Sequence, residues 1–598
     1  MTSRLKLILG AATAVVAAIA VGFFLKTGPI AEPSRAFAVE VPALVSDEHT
    51  MFGGTPGRNF VNLRATGLSA EFPKDAEGKS HVLGSRVKWK APLGSRAYGG
   101  PSVAGGRIYV GTNNDTPRND RDRGKPNEDD PKGPAVDKGV IMCFNEKTGD
   151  LLWQAVHDKL EAGQVWDYPL QGICSTPFVE GDRIYYVSNR CEVVCADVNG
   201  FANGNDGFQK EKYQDKTDAD FIWVYDMIKE LKVFPHNLAA CSPLIIGDLL
   251  FIVTANGVDE GHVNIPFPEA PSFICLNKKT GKLLWKSSLP GKNIMHGQWS
   301  NPTYAVLGGK AQVIFPGGDG WIYGLEPETG KLIWKFDANP KDSKYELGNR
   351  GTKSDFIATP VVYDGRIYIG TGQDPDHGQS VAHFWCFAPT MEGDVSLELV
   401  TDATATPPAT KPNPNSAVVW HYGGERDTPF AQRNYAFGRT MSTACIVDDV
   451  VYISELAGYV HCLDAKTGKK FWQFDTKSEV WGSCYFADGK VLIGTADGDL
   501  YIFKHMKEHE VMDEVAAGTT AAQAAEKEAT ATGKDESAIR KATRDAYRTA
   551  AMKVHSQVAA KYLLQKVEIN ETIRSTPVVA NGVIYVMSER NLYALNAK

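Results

Sequence analysis

The residues able to do chemistry in this chain fall between its strand-forming runs. His236, His296, Trp299, Arg350, Asp355, Arg439, Trp481 and Arg574 all sit just before Ser-Thr-Pro-like segments, as do Tyr98, Asp167, Tyr168 and Gln298. Imidazole, guanidinium and amide groups beside tryptophan and tyrosine faces are the lining a small-molecule pocket needs. The bland alternative is a wet channel whose polar groups satisfy one another. Asp355 is the candidate general base, although a channel carboxylate beside Arg350 and Lys353 is more often simply ion-paired. No Gly-x-Ser-x-Gly, P-loop, dinucleotide or His-Glu-x-x-His motif occurs. His262, His377 and His383 lack close His-x-x-x-His spacing, so they read as loop hydrogen-bonders and no metal ligand is assigned.

What positions these loops is a repeat. Asn145-Glu-Lys-Thr-Gly-Asp-Leu-Leu-Trp153 recurs as Asn277 to Trp285, as Glu326 to Trp334 and as Asp464 to Trp472. The glycine supplies the positive φ of a tight hairpin, and the apolar run after it makes an outer strand ending in tryptophan. A strand precedes each copy, and upstream lies a second hairpin such as Thr359-Pro-Val-Val-Tyr-Asp-Gly-Arg-Ile-Tyr-Ile-Gly-Thr371. Four short strands per repeat predict an all-β propeller. Blades are expected at 98–156, 171–226, 237–288, 299–337, 356–422, 440–475 and from Val480 onward. The C-terminal strands lack an outer partner, and the isolated strand 87–93 has the pattern to supply it. The expectation is therefore eight four-stranded antiparallel blades over 85–598, closed by the two ends of the domain.

Residues 513–566 break the pattern. Ile539, Ala542, Ala546, Ala550, Val554, Val558 and Tyr562 follow helical spacing, and Gly533 separates two helices. This predicts a helical insertion in blade seven, either a tolerated surface feature or a docking arm. Long loops at 113–138, 255–271, 338–355, 372–383 and 424–439 are expected to share one face with the channel mouth.

A net charge of −7 argues against nucleic-acid binding. Leu7 to Leu25 is free of charge and follows Arg4 and Lys6, which predicts a membrane anchor (residues 1–26) with the propeller exported. Cleavage near Ala38 and secretion is the alternative. Residues 27–84 read as an extended linker. Nine of the ten cysteines occupy two repeat slots, so they read as free buried thiols in preference to disulfides.

The Asp/Asn-x-x-Thr-Gly-x-x-x-Trp repeats and Ser-Thr-Pro-Val-Val strands resemble the PQQ (pyrroloquinoline quinone) repeat family over about residues 85–598. The resemblance implies two functions. In quinoprotein dehydrogenases, PQQ with calcium lies between a tryptophan and a disulfide of adjacent cysteines. Trp299 and Asp355 match the floor and the base by position, but no Cys-Cys pair exists here. Members similar to BamB bind protein partners without a cofactor. The reading adopted is a non-catalytic binding module, cofactor-free, taking an unidentified protein or small ligand at the long-loop face. PQQ-dependent oxidation of alcohols or sugars is the alternative.

Overall fold

A computed structural model of the chain describes residues 47–428, 431 and 433–597. The apolar run 7–25 and the first part of the expected linker lie outside them. Among the described residues, no helix is long and apolar enough to cross a membrane.

The fold is an all-β propeller of four-stranded blades. Blade one is representative: Ser102–Ala104, Arg107–Asn113, Lys138–Asn145 and Leu151–Asp158 pair as an antiparallel meander. The expected count of eight is corrected to seven. Seven blades are each built from four strands taken in chain order. The C-terminal strands Val578–Ala580, Val583–Met587 and Asn591–Asn596 supply only three, and form a composite clasp with Val87–Pro92. Nor are the blades uniformly antiparallel. Gly393–Asp394 adds in parallel to blade four, while Val61–Asn62 and His81–Val82 add in parallel to the two edges of blade seven. Repeat counting misses such additions, because two-residue edge strands carry no periodicity.

The repeat motif proves to be an interlock between neighbours. The indole N–H of Trp89, Trp223, Trp285 and Trp420 donates to a carbonyl in the turn of the next blade (Glu146, Lys278, Pro327 and Ala465) at 2.7–3.1 Å. The Thr-Gly glycine of that turn lies beneath the ring. A Cβ on Gly281 would stand 2.7 Å from Trp223 Cε3, with φ at +67°. Gly281→Ala is therefore expected to cost about 2–4 kcal/mol, read as a lowered midpoint in equilibrium denaturation.

The cysteine slot has the same kind of cause. Cys143, Cys195, Cys275, Cys386 and Cys462 each pair across the sheet with the outer-strand tryptophan of their own blade, next to a β-bulge. Blade four places Gly324 there, where a Cβ would meet Trp334 at 2.2 Å. The slot demands a small residue. All ten cysteines are free, and all but Cys174 are fully buried.

The Ser-Thr-Pro position stitches the inner strands into a belt around the channel. Thr176 N–H donates to Ser242 Oγ at 3.0 Å, Thr359 N–H to Thr443 Oγ1 at 3.2 Å and Ser483 N–H to Thr576 Oγ1 at 2.9 Å. Asn301 bridges Ser242 to Thr359.

Residues 47–62, placed by sequence in the linker, run across one end of the channel. Backbone bonds join Asp47 to Asn581, His49 to Val103, Thr50 to Val179, Pro56 to Tyr304, Gly57 to Val362 and Phe60 to Phe486. This segment caps the end of the inner strands opposite the inter-blade loops.

The insertion forms two helices, Glu514–Ala531 and Glu536–Tyr562. Asp513 and Asp535 cap their N-termini, as acidic caps do. The second helix packs on blade six, where Tyr562 stacks on Trp472 at 5.1 Å and His555 on Phe474 at 4.5 Å.

Candidate functional site

The inter-blade loops converge at the end of the channel opposite the cap. There a cavity of about 270 Å³ runs down to His49, Phe52 and Phe60 of the capping segment. Its upper walls include Tyr98, Trp299, Trp481 and Arg574. The Arg574 guanidinium lies 4.0 Å over the Trp481 ring, and its Nε donates to Glu589 at 2.6 Å. Tyr98 and Trp481 are 5.8 Å apart. Asp374 and Asp376 line the opposite wall.

Trp299 connects this cavity to a histidine cluster. Its indole N–H donates to the His236 carbonyl at 3.2 Å, and its ring stands 5.2 Å from His296, edge to face. His262 Nε2 lies 3.2 Å from His236 Nε2 and 2.9 Å from His296 Nε2. Three connections around blade three supply these rings: the loops entering it, within it and leaving it. The fit is close. A Cβ on Gly257 would meet His236 Cβ at 2.6 Å, and one on Gly348 would meet His262 Cβ at 2.7 Å. Asp259 accepts from the backbone N–H groups of Val263 and Asn264, which holds His262 at φ 55°. Burial lowers His236 to about 4 and His296 to about 2, so both are neutral imidazoles at ordinary pH.

Asp355 stands apart from both groups. It is 1% exposed, one oxygen accepts from Asn349 Nδ2 at 3.1 Å, and the other has no partner. Burial pushes its carboxyl up to about 7, against the pull of the Asn349 hydrogen bond. Arg439 contributes charge near it while donating to the His377 carbonyl at 2.8 Å. Arg350 is exposed, and its charge acts on His262.

The sequence candidates thus divide. Trp299, Trp481 and Arg574 share the cavity; His236 and His296 form the cluster behind Trp299; Asp355 and Arg439 lie elsewhere. His262 is the residue that sequence reasoning passed over, by looking for ligands close together in the chain. Asp374 and Cys174, which also line the cavity, carry no motif. The exposed apolar side chains Tyr168, Leu170, Val263 and Tyr345 lie on loops of this same end.

The family described as "Outer membrane protein assembly factor BamB" matches residues 137–408 and 410–598. The PQQ-repeat resemblance is thereby borne out. Tetrathionate hydrolase of Acidithiobacillus ferrooxidans is 23% identical over 272 residues, 40% of this chain and 50% of the relative. The chain therefore matches about half the length of that curated relative. Among solved structures, BamB from Moraxella catarrhalis aligns with a TM-score of 0.43 and 13% identity, covering 79% of this chain and 95% of the other. Quinohemoprotein alcohol dehydrogenase from Comamonas testosteroni aligns with a TM-score of 0.38 and 10% identity, covering 77% of each chain.

Proposed function

The chain belongs to the BamB family of PQQ-repeat propellers, and we propose that it works as a binding module whose channel mouth receives a small organic molecule. The cavity behind the inter-blade loops carries this reading. Aromatic walls favour a ligand with a flat or apolar face. The charges around it are muted: Arg574 is paired with Glu589, and burial pushes the Asp374 carboxyl above its usual range. That muting favours an uncharged or zwitterionic ligand. The exposed apolar rim of the same end supports a protein partner that delivers or receives the ligand. Residues 7–25 serve in this reading as the membrane anchor of an exported propeller; deletion of 1–26 should then release the protein from the membrane fraction.

The quinone cofactor of the wider PQQ-repeat family fits poorly. It carries three carboxylates, whereas the lining offers Arg574 as its cation and sets Asp374 and Asp376 against it. Cys174 lines the cavity as a lone free thiol.

The test is a titration of the full-length protein with sugars, alcohols and PQQ plus calcium, followed by tryptophan fluorescence. Saturable quenching by an uncharged ligand, weakened about tenfold or more in Trp299→Ala, is the expected result. Saturation by PQQ alone would replace this reading with the quinoprotein one.

A second reading, hydrolysis, is favoured by Asp355. A buried carboxyl that titrates near neutrality and has one free oxygen has the properties of a general base. The similarity to tetrathionate hydrolase makes a sulfur oxyanion the substrate to try. Tetrathionate consumption abolished by Asp355→Asn would establish it, and no consumption by the wild-type protein would end it.

A further inference from the structure

We propose that His236, His262 and His296 form a three-histidine centre for a divalent transition metal of the zinc type, beside the channel mouth. This goes beyond ligand binding in the cavity and does not depend on it.

The His236 Nδ1 lies 2.8 Å from the Val258 carbonyl, an acceptor only, so Nδ1 carries the hydrogen and Nε2 presents a lone pair. That lone pair points at His262 Nε2, which also meets His296 Nε2. For neutral imidazoles the two contacts share one proton at best. Lone pairs are therefore forced together inside a buried pocket, which is unfavourable unless a cation lies between them. The His296 Nδ1, moreover, is buried without a partner, so no second bond orients that ring.

Geometry agrees. The three donor atoms all lie within 4.8 Å of one another, and two of the separations are 3.2 and 2.9 Å. Ligands bonded at about 2.0–2.1 Å in a tetrahedral site stand about 3.3 Å apart. A carbonyl that fixes the tautomer of a ligating histidine is the outer-shell partner such sites use. Three imidazoles suit zinc, copper, nickel or iron over magnesium or calcium, which prefer oxygen. Three protein ligands leave a coordination position for water or a bound molecule, the arrangement of catalytic and not of closed structural sites.

The surrounding fold commits itself to the cluster. Gly257 and Gly348 stand where any side chain would collide with His236 or His262. His262 is held in a left-handed conformation that a non-glycine residue adopts at a cost. That cost falls on the loop residue that completes the triangle.

The test uses full-length protein stripped with a chelator and desalted. Zinc is titrated calorimetrically, and cobalt is added separately as a spectroscopic probe. One zinc per chain is expected at about 10 µM or tighter, with cobalt giving the visible absorption of a four-coordinate nitrogen site. His262→Ala changes a half-buried loop residue and should weaken zinc at least about 100-fold with an unchanged circular dichroism spectrum. No stoichiometric zinc binding by the wild-type chain, or binding unchanged in His262→Ala, would overturn the proposal. If the variant does not fold, the wild-type cobalt spectrum decides alone: a six-coordinate, oxygen-type spectrum rejects the centre.

Discussion

Arg58→Met should lower the unfolding free energy by about 4 kcal/mol or more, with the amides of residues 47–62 losing hydrogen-exchange protection first. Arg58 is 0% exposed, and its guanidinium donates to the carbonyls of Phe52, Ser242, Pro243 and Pro302 at 2.9–3.1 Å. It thereby fastens the capping segment to blades three and four. Methionine retains much of the apolar stem but removes every N–H, leaving four carbonyls without that donor. Each buried acceptor stranded in this way costs about 1–3 kcal/mol, less where water can enter. The side chain is a clamp made of hydrogen bonds; among the described residues it has no carboxylate partner. Arg58→Lys should recover only part of the loss, because an ammonium cannot reach carbonyls spread around a planar fork. A variant as stable as the wild type, with an equally protected cap, would show that the segment is held by its backbone pairing alone.

Glu455→Gln is expected to cost about 3 kcal/mol. The Glu455 side chain is fully buried, and Oε1 accepts from Arg433 at 2.8 Å and from His461 Nε2 at 2.6 Å, while the second arm of Arg433 grips Oε2. Tyr422 lies 3.1 Å from His461 Nδ1, consistent with a neutral imidazole that donates to the carboxylate and accepts from the phenol. Burial alone would raise the Glu455 carboxyl, but His461 and Arg433 hold it down to about 2. Because the folded value lies below the unfolded one, this stabilisation is complete above the ordinary carboxylate range, near 4.3. It fades as pH falls from there towards 2. The wild-type protein should therefore lose stability on acidification more steeply than Glu455→Gln, and the two curves should converge near the acid end. Parallel curves from pH 5 to pH 2 would remove Glu455 as a source of acid sensitivity. Since Arg433 belongs to the long loop 424–439, the variant should also loosen that loop at the channel mouth.

How much of this was legible in the chain depends on whether a feature is local. The Thr-Gly-x-x-x-Trp spacing discloses hairpins because a turn glycine and an outer strand lie within nine residues. It does not disclose that Trp223 docks on Gly281 of the following blade, 58 positions away, and that contact is why the motif has its form. The cysteine slot likewise shows as a register in the sequence. Its cause, a tryptophan directly across the sheet, requires the pairing of Cys275 with Trp285. Strand 87–93 completes the last three strands as its pattern predicted; the count failed because that composite sheet was read as one more blade, whereas it is a clasp built from both ends of the domain.

The site divides along the same line. Residues before the Ser-Thr-Pro segments had to lie near the channel axis, because each inner strand begins there; His236, His296, Trp299, Trp481 and Arg574 follow from that rule. Asp355 obeys it too, yet it is turned behind the wall. His262 breaks it, arriving from a loop within blade three. By itself the sequence determined the strands, their turns, the helical insertion and the ring of loops at one end, since each rests on spacings short enough for periodicity and turn chemistry to act. Only the tertiary structure decided the cap at the other end and the meeting of three imidazoles. Those depend on segments brought together by closure of the propeller, and no local propensity encodes the distance between them.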